Sequence, residues 1–198
     1  MKLLIGTANE NKVQEIILGL GDVPYKLISL SQLPSFKEEV KINETGKTYM
    51  ENASAKAREY AKLFNMLTLA EDSGIEIDIL DGKPGVYSKR FTQGTDKDRY
   101  EKILERLRMV PREKRTARYR CAIAIYNPKT DMLKRCEASC TGVIASVPKG
   151  KRGFGYDPIF YLPALDKTMA ELTLKQKNLM SHRGRALARA RVMLKEFV

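Results

Sequence analysis

The chain has 198 residues, of which 43% are apolar, enough for one substantial core. Lys and Arg number 36 against 24 Asp and Glu, and the formal charge of +12 favours polyanions such as nucleotides, nucleic acid or acidic membrane surface without choosing among them. A single histidine excludes a multi-histidine zinc centre, and no apolar run approaches the roughly 18 to 20 residues of a membrane helix. The opening run of residues 1–5 stops at Gly6, too soon for a signal-peptide core, so the expected location is cytoplasmic. Cys121, Cys136 and Cys140 form no Cys-x-x-Cys pair and read as small buried thiols rather than metal ligands or a disulfide.

Residues 2–6 read as a short buried strand, followed by the polar loop Thr7-Ala8-Asn9-Glu10-Asn11-Lys12 and a helix with Val13, Ile16, Ile17 and Leu20 on one face. Such a junction offers free N–H groups and the positive helix end to an anion, with Thr7, Asn9 and Lys12 as side-chain donors. Its spacing is neither that of a P-loop nor that of a dinucleotide fingerprint. Asn9 and Asn11 are also plain helix-cap candidates. A strand over 25–30 leads into an acidic loop with Glu38, Glu39 and Glu44, then Gly46. A long helix over about 48–65 follows, with Met50, Ala53, Ala57, Tyr60, Ala61 and Phe64 as its core stripe and Lys56 and Arg58 outside that stripe.

The apolar run 67–70 ends at Glu71-Asp72-Ser73-Gly74, read as a strand end turning into a loop, with a second strand over 75–80. Two carboxylates and a hydroxyl at the carboxyl end of a strand sit where open α/β sheets place their chemistry; a solvated acidic turn is the alternative. A tight Pro/Gly turn over 81–85 and a charged amphipathic helix over about 96–109 come next. The basic segment 112–120 is expected to be an exposed loop in preference to a polyanion contact.

Strand patterns over 118–126 and 133–145, joined by 127–131, predict an antiparallel hairpin and hence a mixed sheet. The loop 148–158 packs three glycines, three cations, Phe154, Tyr156 and Asp157 ahead of a strand over 159–162. Aromatics to stack on a base and an acid to accept a ring N–H suit a purine nucleotide. Near the end, Lys177 precedes Ser181, a good N-cap, and a helix whose first turn holds His182 and Arg183. Positive side chains there oppose the helix dipole unless an anion lies nearby, and such a conflict is expected at a functional site. With no repeat or linker, the chain reads as a single α/β domain, 1–198, of two lobes around a central mixed sheet, with an active-site cleft between them.

Five separated motifs together resemble the inosine triphosphate pyrophosphatase family. They are Thr7-Ala8-Asn9-Glu10-Asn11-Lys12, Glu51-Asn52-Ala53-Ser54-Ala55-Lys56, Glu71-Asp72-Ser73-Gly74 through Phe91, Gly153 through Phe160, and Ser181-His182-Arg183. The resemblance implies hydrolysis of ITP, dITP or XTP between the α and β phosphates, with Mg²⁺ as cofactor, a homodimer as the assembly, and neither stable nucleic-acid nor membrane partners. It makes Asp72 the proton acceptor and a magnesium contact, and Ser73 a substrate contact. Thr7, Ala8, Asn9, Glu10, Asn11, Lys12, Lys177, His182 and Arg183 would bind the nucleotide, and Lys56 and Lys89 would add phosphate contacts. Phe154, Gly155, Tyr156 and Asp157 would hold the base, with a donor near Tyr156 or Arg183 reading its O6. Glu44 joins Asp72 in the metal set, with Glu39 and Glu71 as alternatives because Leu33-Pro34 is followed here by Ser35. Rival readings are a basic nucleic-acid-binding module without catalysis and a house-cleaning phosphatase for other modified nucleotides.

Overall fold

The structure, a computed structural model, describes residues 1–33 and 42–197. Glu38 and Glu39 therefore lie outside the described residues. Seven strands form one mixed sheet: β1 (Lys2–Ile5), β2 (Lys26–Ser29), β3 (Thr68–Ile77), β4 (Thr116–Asn127), β5 (Met132–Ile144), β6 (Phe160–Leu162) and β7 (Lys167–Thr168), in the spatial order β2-β1-β3-β4-β5-β6-β7. β1 pairs in parallel with β2 and β3, whereas β5 with β6 and β6 with β7 are antiparallel. By its contacts the chain divides into two compact units, one of Met1–Asp72, Cys121–Ala138 and Arg183–Val198, the other of Ser73–Arg120 and Ser139–His182. Among the described residues no helix is long and apolar enough to cross a membrane.

In the first unit, α1 (Glu10–Leu20) begins where the Asn9 side chain accepts the Lys12 N–H at 3.3 Å, the cap reading of that residue. α2 (Tyr49–Phe64) starts in a reciprocal box between Thr48 and Glu51 and ends at Asn65, whose φ of 48° leaves the helical region. α5 (His182–Leu194) closes the unit. Side chains alternate across a strand, so Leu3 and Ile5 of β1 join Leu69, Cys121 and Ile123 in a core with Val13 and Ile16 of α1 and Ala186, Leu187 and Ala190 of α5. Leu4 faces the other way and packs with Leu30 and Tyr60 of α2. The unit is thus a sheet with helices on both faces.

The second unit holds α3 (Asp96–Arg106), capped by Thr95 and Asp98, and α4 (Leu174–Met180), capped by Thr173 and Gln176. Its core joins Ile75 and Ile77 to Ile103, Tyr119, Tyr156, Phe160 and Met169.

Two expectations change. Glu71-Asp72-Ser73-Gly74 is not a turn, and 75–80 is not a separate strand: β3 runs unbroken over ten residues, followed by a short 3-10 turn at Asp78–Leu80. The acids remain in extended backbone because each meets cationic or amide partners contributed by helices far away in sequence. The basic segment 112–120 is only briefly a loop, since β4 starts at Thr116, and three of its arginines have partners within the unit. Arg115 is buried and donates to the carbonyls of Leu107 and Val110, both at 2.8 Å, finishing the chain that leaves α3. Arg118 pairs with Asp78, and Arg120 lies 3.6 Å from Glu76.

Candidate active site

In the first unit, alternation along β3 sends Glu71 and Asp72 to opposite faces of the sheet. Glu71 enters the α1/α5 face, where its side chain is fully buried. Lys12 lies 2.5 Å from Oε1, Arg183 3.5 Å from Oε2, and the Cys121 thiol donates to Oε2 at 3.4 Å. Burial alone would raise the Glu71 pKa, but Lys12, Arg183 and Lys56 outweigh it and hold the carboxylate well below its ordinary value. Cys121 is pushed well up by burial and by Glu71, so it remains a neutral donor. Arg183 also pairs with buried Glu15 of α1. The anion demanded by a cation in the first turn of α5 is therefore supplied, for Arg183, by the chain's own Glu15 and Glu71.

Asp72 enters the α2 face. Its Oδ2 accepts from the Asn52 amide at 3.0 Å and its Oδ1 lies 3.5 Å from Lys56 Nζ, which is itself 2.5 Å from Glu44 Oε1. Burial raises the Asp72 pKa and Glu44 adds to the rise, while Lys56, Lys12 and the Asn52 hydrogen bond recover only part. Lys56 shows the complement: burial would lower its pKa, yet Asp72, Glu44 and Glu71 raise it, so the ammonium persists. Two carboxylates on one ammonium, with one of them reluctant to ionise, make a place that an added divalent cation relieves. Oxygen donors in this number fit a cation that retains waters and substrate phosphates, and among the described residues there is no cluster of three or more His, Cys, Asp or Glu to suggest a closed site.

The loop before α1 puts Thr7 Oγ1 in contact with the Asn9 N–H at 3.3 Å. Thr7, Asn9 and Lys12 are half-buried, while Ala8, Glu10 and Asn11 are exposed. Ser73, the next residue of β3, is half-buried, and Lys89 is exposed on the 3-10 turn Gly85–Arg90.

In the second unit the glycine-rich loop is folded around Asp157. Its carboxylate accepts the Phe154 N–H at 2.9 Å, pairs with Lys177 of α4 and meets the Tyr119 hydroxyl at 3.4 Å. Gly153, at a φ of 74°, has the conformation and the missing side chain this requires, because a Cβ there would strike the Asp157 carboxylate. Lys177 Nζ also stands 4.7 Å from the centre of the Phe154 ring, and the buried His182 ring stacks on Tyr119 at 4.5 Å. The Gly155 N–H donates to Asp96 at the start of α3 at 2.7 Å, and the Tyr156 hydroxyl donates to the Ser88 carbonyl at 2.7 Å. That phenolic proton is committed to the backbone, so the Tyr156 hydroxyl holds the loop against the 3-10 turn that carries Ser88. Exposed Lys151, Arg152 and Lys167, with Glu171, line a separate cavity of about 440 Å³ in this unit.

Asn52, Glu15, Ser88 and Asp96 are the participants that sequence reasoning did not assign. Asn52 stands inside the Glu51-to-Lys56 motif and Ser88 inside the one that runs through Phe91, which is their only signal; Glu15 and Asp96 carry none.

A family model described as the Ham1 family matches residues 3–193. A dITP/XTP pyrophosphatase of Desulforamulus reducens is 45% identical over 197 residues, covering 98% of this chain and 96% of that protein. One from Bacillus subtilis is 45% identical over 193 residues, covering 96% of each. The solved structure of a HAM1 protein from Coxiella burnetii is similar with a TM-score of 0.85 at 38% identity, over 99% of both chains.

Proposed function

The chain belongs to the Ham1 family, and from that premise we propose that it hydrolyses triphosphates of deaminated purine nucleosides, dITP, XTP and ITP, to the monophosphate and pyrophosphate. The observation that carries this reading is the placement of Asp72 and Glu44 on the one Lys56 ammonium, with the Asn52 amide on the Asp72 carboxylate. Water adds at the α phosphorus, the bond from that phosphorus to the α–β bridging oxygen breaks, and pyrophosphate leaves with the electron pair. Asp72 takes the proton of the attacking water, a role that a carboxylate with a raised pKa fills better than one held strongly ionised. Lys56 and Lys12 offset phosphate charge, and Glu71 fixes the position of the Lys12 ammonium.

Mg²⁺ is the proposed metal, with Glu44 and Asp72 as its protein ligands; when bound it supplies charge neutralisation on the phosphoryl oxygens. In the second unit the Phe154 face takes the purine ring, with Lys177 and Asp157 holding that ring's loop in shape. Tyr119 and His182 form the buried stack beside Asp157. Thr7 to Lys12, Ser73, Lys89, His182 and Arg183 complete the proposed nucleotide contacts. The chain is further proposed to act as one cytoplasmic domain that assembles as a homodimer, which sedimentation at micromolar concentration checks.

The test is a panel of ITP, dITP, XTP, dUTP, ATP and GTP with Mg²⁺ and a readout that separates pyrophosphate from orthophosphate. Pyrophosphate from ITP, dITP and XTP, with little from the rest, is expected. Orthophosphate as the product, or preference for dUTP, would contradict the reading.

A further inference from the structure

Asn52 is 1% exposed, on the first turns of α2 and four residues before Lys56, so the two side chains share a helix face. Its carboxamide is used at both ends. Oδ1 accepts the Gly46 N–H at 2.8 Å, and Nδ2 donates to Asp72 Oδ2 at 3.0 Å. Only one orientation of the amide satisfies both contacts, because a backbone N–H needs an acceptor and a carboxylate needs a donor. The fit at Gly46 is close: a Cβ there would come within 2.6 Å of Asn52 Oδ1. The preceding residue, Glu51, accepts the N–H groups of Lys47 at 2.7 Å and Thr48 at 3.3 Å. Two adjacent side chains thus anchor 46–48, two residues after Glu44. Among the described residues the Glu51 hydrogen bonds are those of the cap, whereas Asn52 continues to the Asp72 carboxylate.

We propose that Asn52 is a positioning residue for the reacting centre, holding Asp72 with one end of its amide and the segment that carries Glu44 with the other, so that the two carboxylates are set at the separation a shared divalent cation needs. The inference rests on the function proposed above. Leucine at this position would lack both polar ends, and aspartate would keep the acceptor for Gly46 but turn a carboxylate toward Asp72.

The experiment compares the wild-type chain with Asn52→Ala, Asn52→Asp and Glu51→Ala. Binding of Mn²⁺ without nucleotide is followed by water-proton relaxation, and pyrophosphate release from ITP is fitted for kcat and KM, after thermal melts establish that each variant is folded. Removing a partner that orients a metal-binding carboxylate typically costs about 10- to 100-fold, and a loss in that range is expected for Asn52→Ala in both Mn²⁺ affinity and kcat, with KM for ITP changed less than about threefold. Asn52→Asp, which retains the Gly46 contact, is expected to lose kcat to a similar degree, while Glu51→Ala, which removes only the cap, keeps kcat within about threefold. A folded Asn52→Ala with wild-type kcat overturns the proposal, and so does a loss in Glu51→Ala equal to that in Asn52→Ala, which would make the effect one of loop capping. A wild-type chain that releases no pyrophosphate from ITP would instead overturn the function it rests on, a result distinct from either.

Discussion

Glu71 and Asp72 are consecutive on β3, yet the two faces of the sheet treat them in opposite ways. On the α1/α5 face, Glu71 is enclosed by Lys12, Arg183 and a neutral thiol and is held ionised well below the usual range. On the α2 face, Asp72 has one cation at 3.5 Å and one amide, and burial leaves its pKa raised. A carboxylate surrounded by cations is a poor proton acceptor and a good anchor; one whose charge is only partly compensated is the reverse. The peptide spacing of a strand gives one short motif both kinds of carboxylate, and the helices opposite decide which is which.

The largest effect expected from breaking this contrast is on catalysis. Asp72→Asn should lower kcat for ITP by about 10²- to 10⁴-fold, the usual worth of a positioned general base. Asn52 can still donate to the new side-chain oxygen, so urea unfolding at pH 7 should place this variant within about 1 kcal/mol of wild type. Glu71→Gln should show the opposite pattern. It removes the charge that faces Lys12 and Arg183, and breaking a buried pair of this kind costs roughly 3 kcal/mol, read from the same urea midpoints.

The acid side of the stability profile separates the two carboxylates further. Glu71 binds its proton more weakly folded than unfolded, so its contribution is complete above the ordinary value of 4.5 and is lost as pH falls from there toward its lower folded value. Asp72 has the opposite sign: its charge costs stability above its raised folded pKa, and that cost disappears as pH falls through it. The stability advantage of wild type over Glu71→Gln should therefore shrink on acidification below 4.5, while any advantage of Asp72→Asn over wild type should shrink too, as Asp72 becomes neutral. Unfolding midpoints from pH 7 to pH 3 check both trends. The smallest effect belongs to the second unit. Asp96→Ala removes the acceptor for the Gly155 N–H, and one such hydrogen bond is worth about 1 kcal/mol, so KM for ITP should rise about fivefold with kcat unchanged.

Helix stripes, the mixed α/β sheet and the place of the glycine-rich loop were legible because apolar period and glycine spacing are local properties of the sequence. The continuity of β3 was not. Glu71-Asp72-Ser73-Gly74 has the polarity of a turn, and Lys12, Arg183, Asn52 and Lys56, 15 or more residues away, make it tolerable inside a sheet. The sequence asks for an anion near Arg183 without naming it, and its partner Glu15 lies on α1, where nothing in the helix pattern singles it out. Arg115 looked like one more surface charge, while its guanidinium ends a helix. The motifs contain Asp72, Lys56 and Asn52, and the structure adds the contacts among them, which no spacing in the sequence states.

The account turns on water reaching the α phosphorus from the Asp72 face. Turnover of ITP in ¹⁸O-labelled water, with the products separated and weighed by mass spectrometry, tests this most directly. One labelled oxygen in the monophosphate and none in the pyrophosphate is the predicted result, whereas label in the pyrophosphate would place the attack on the β phosphorus and contradict it.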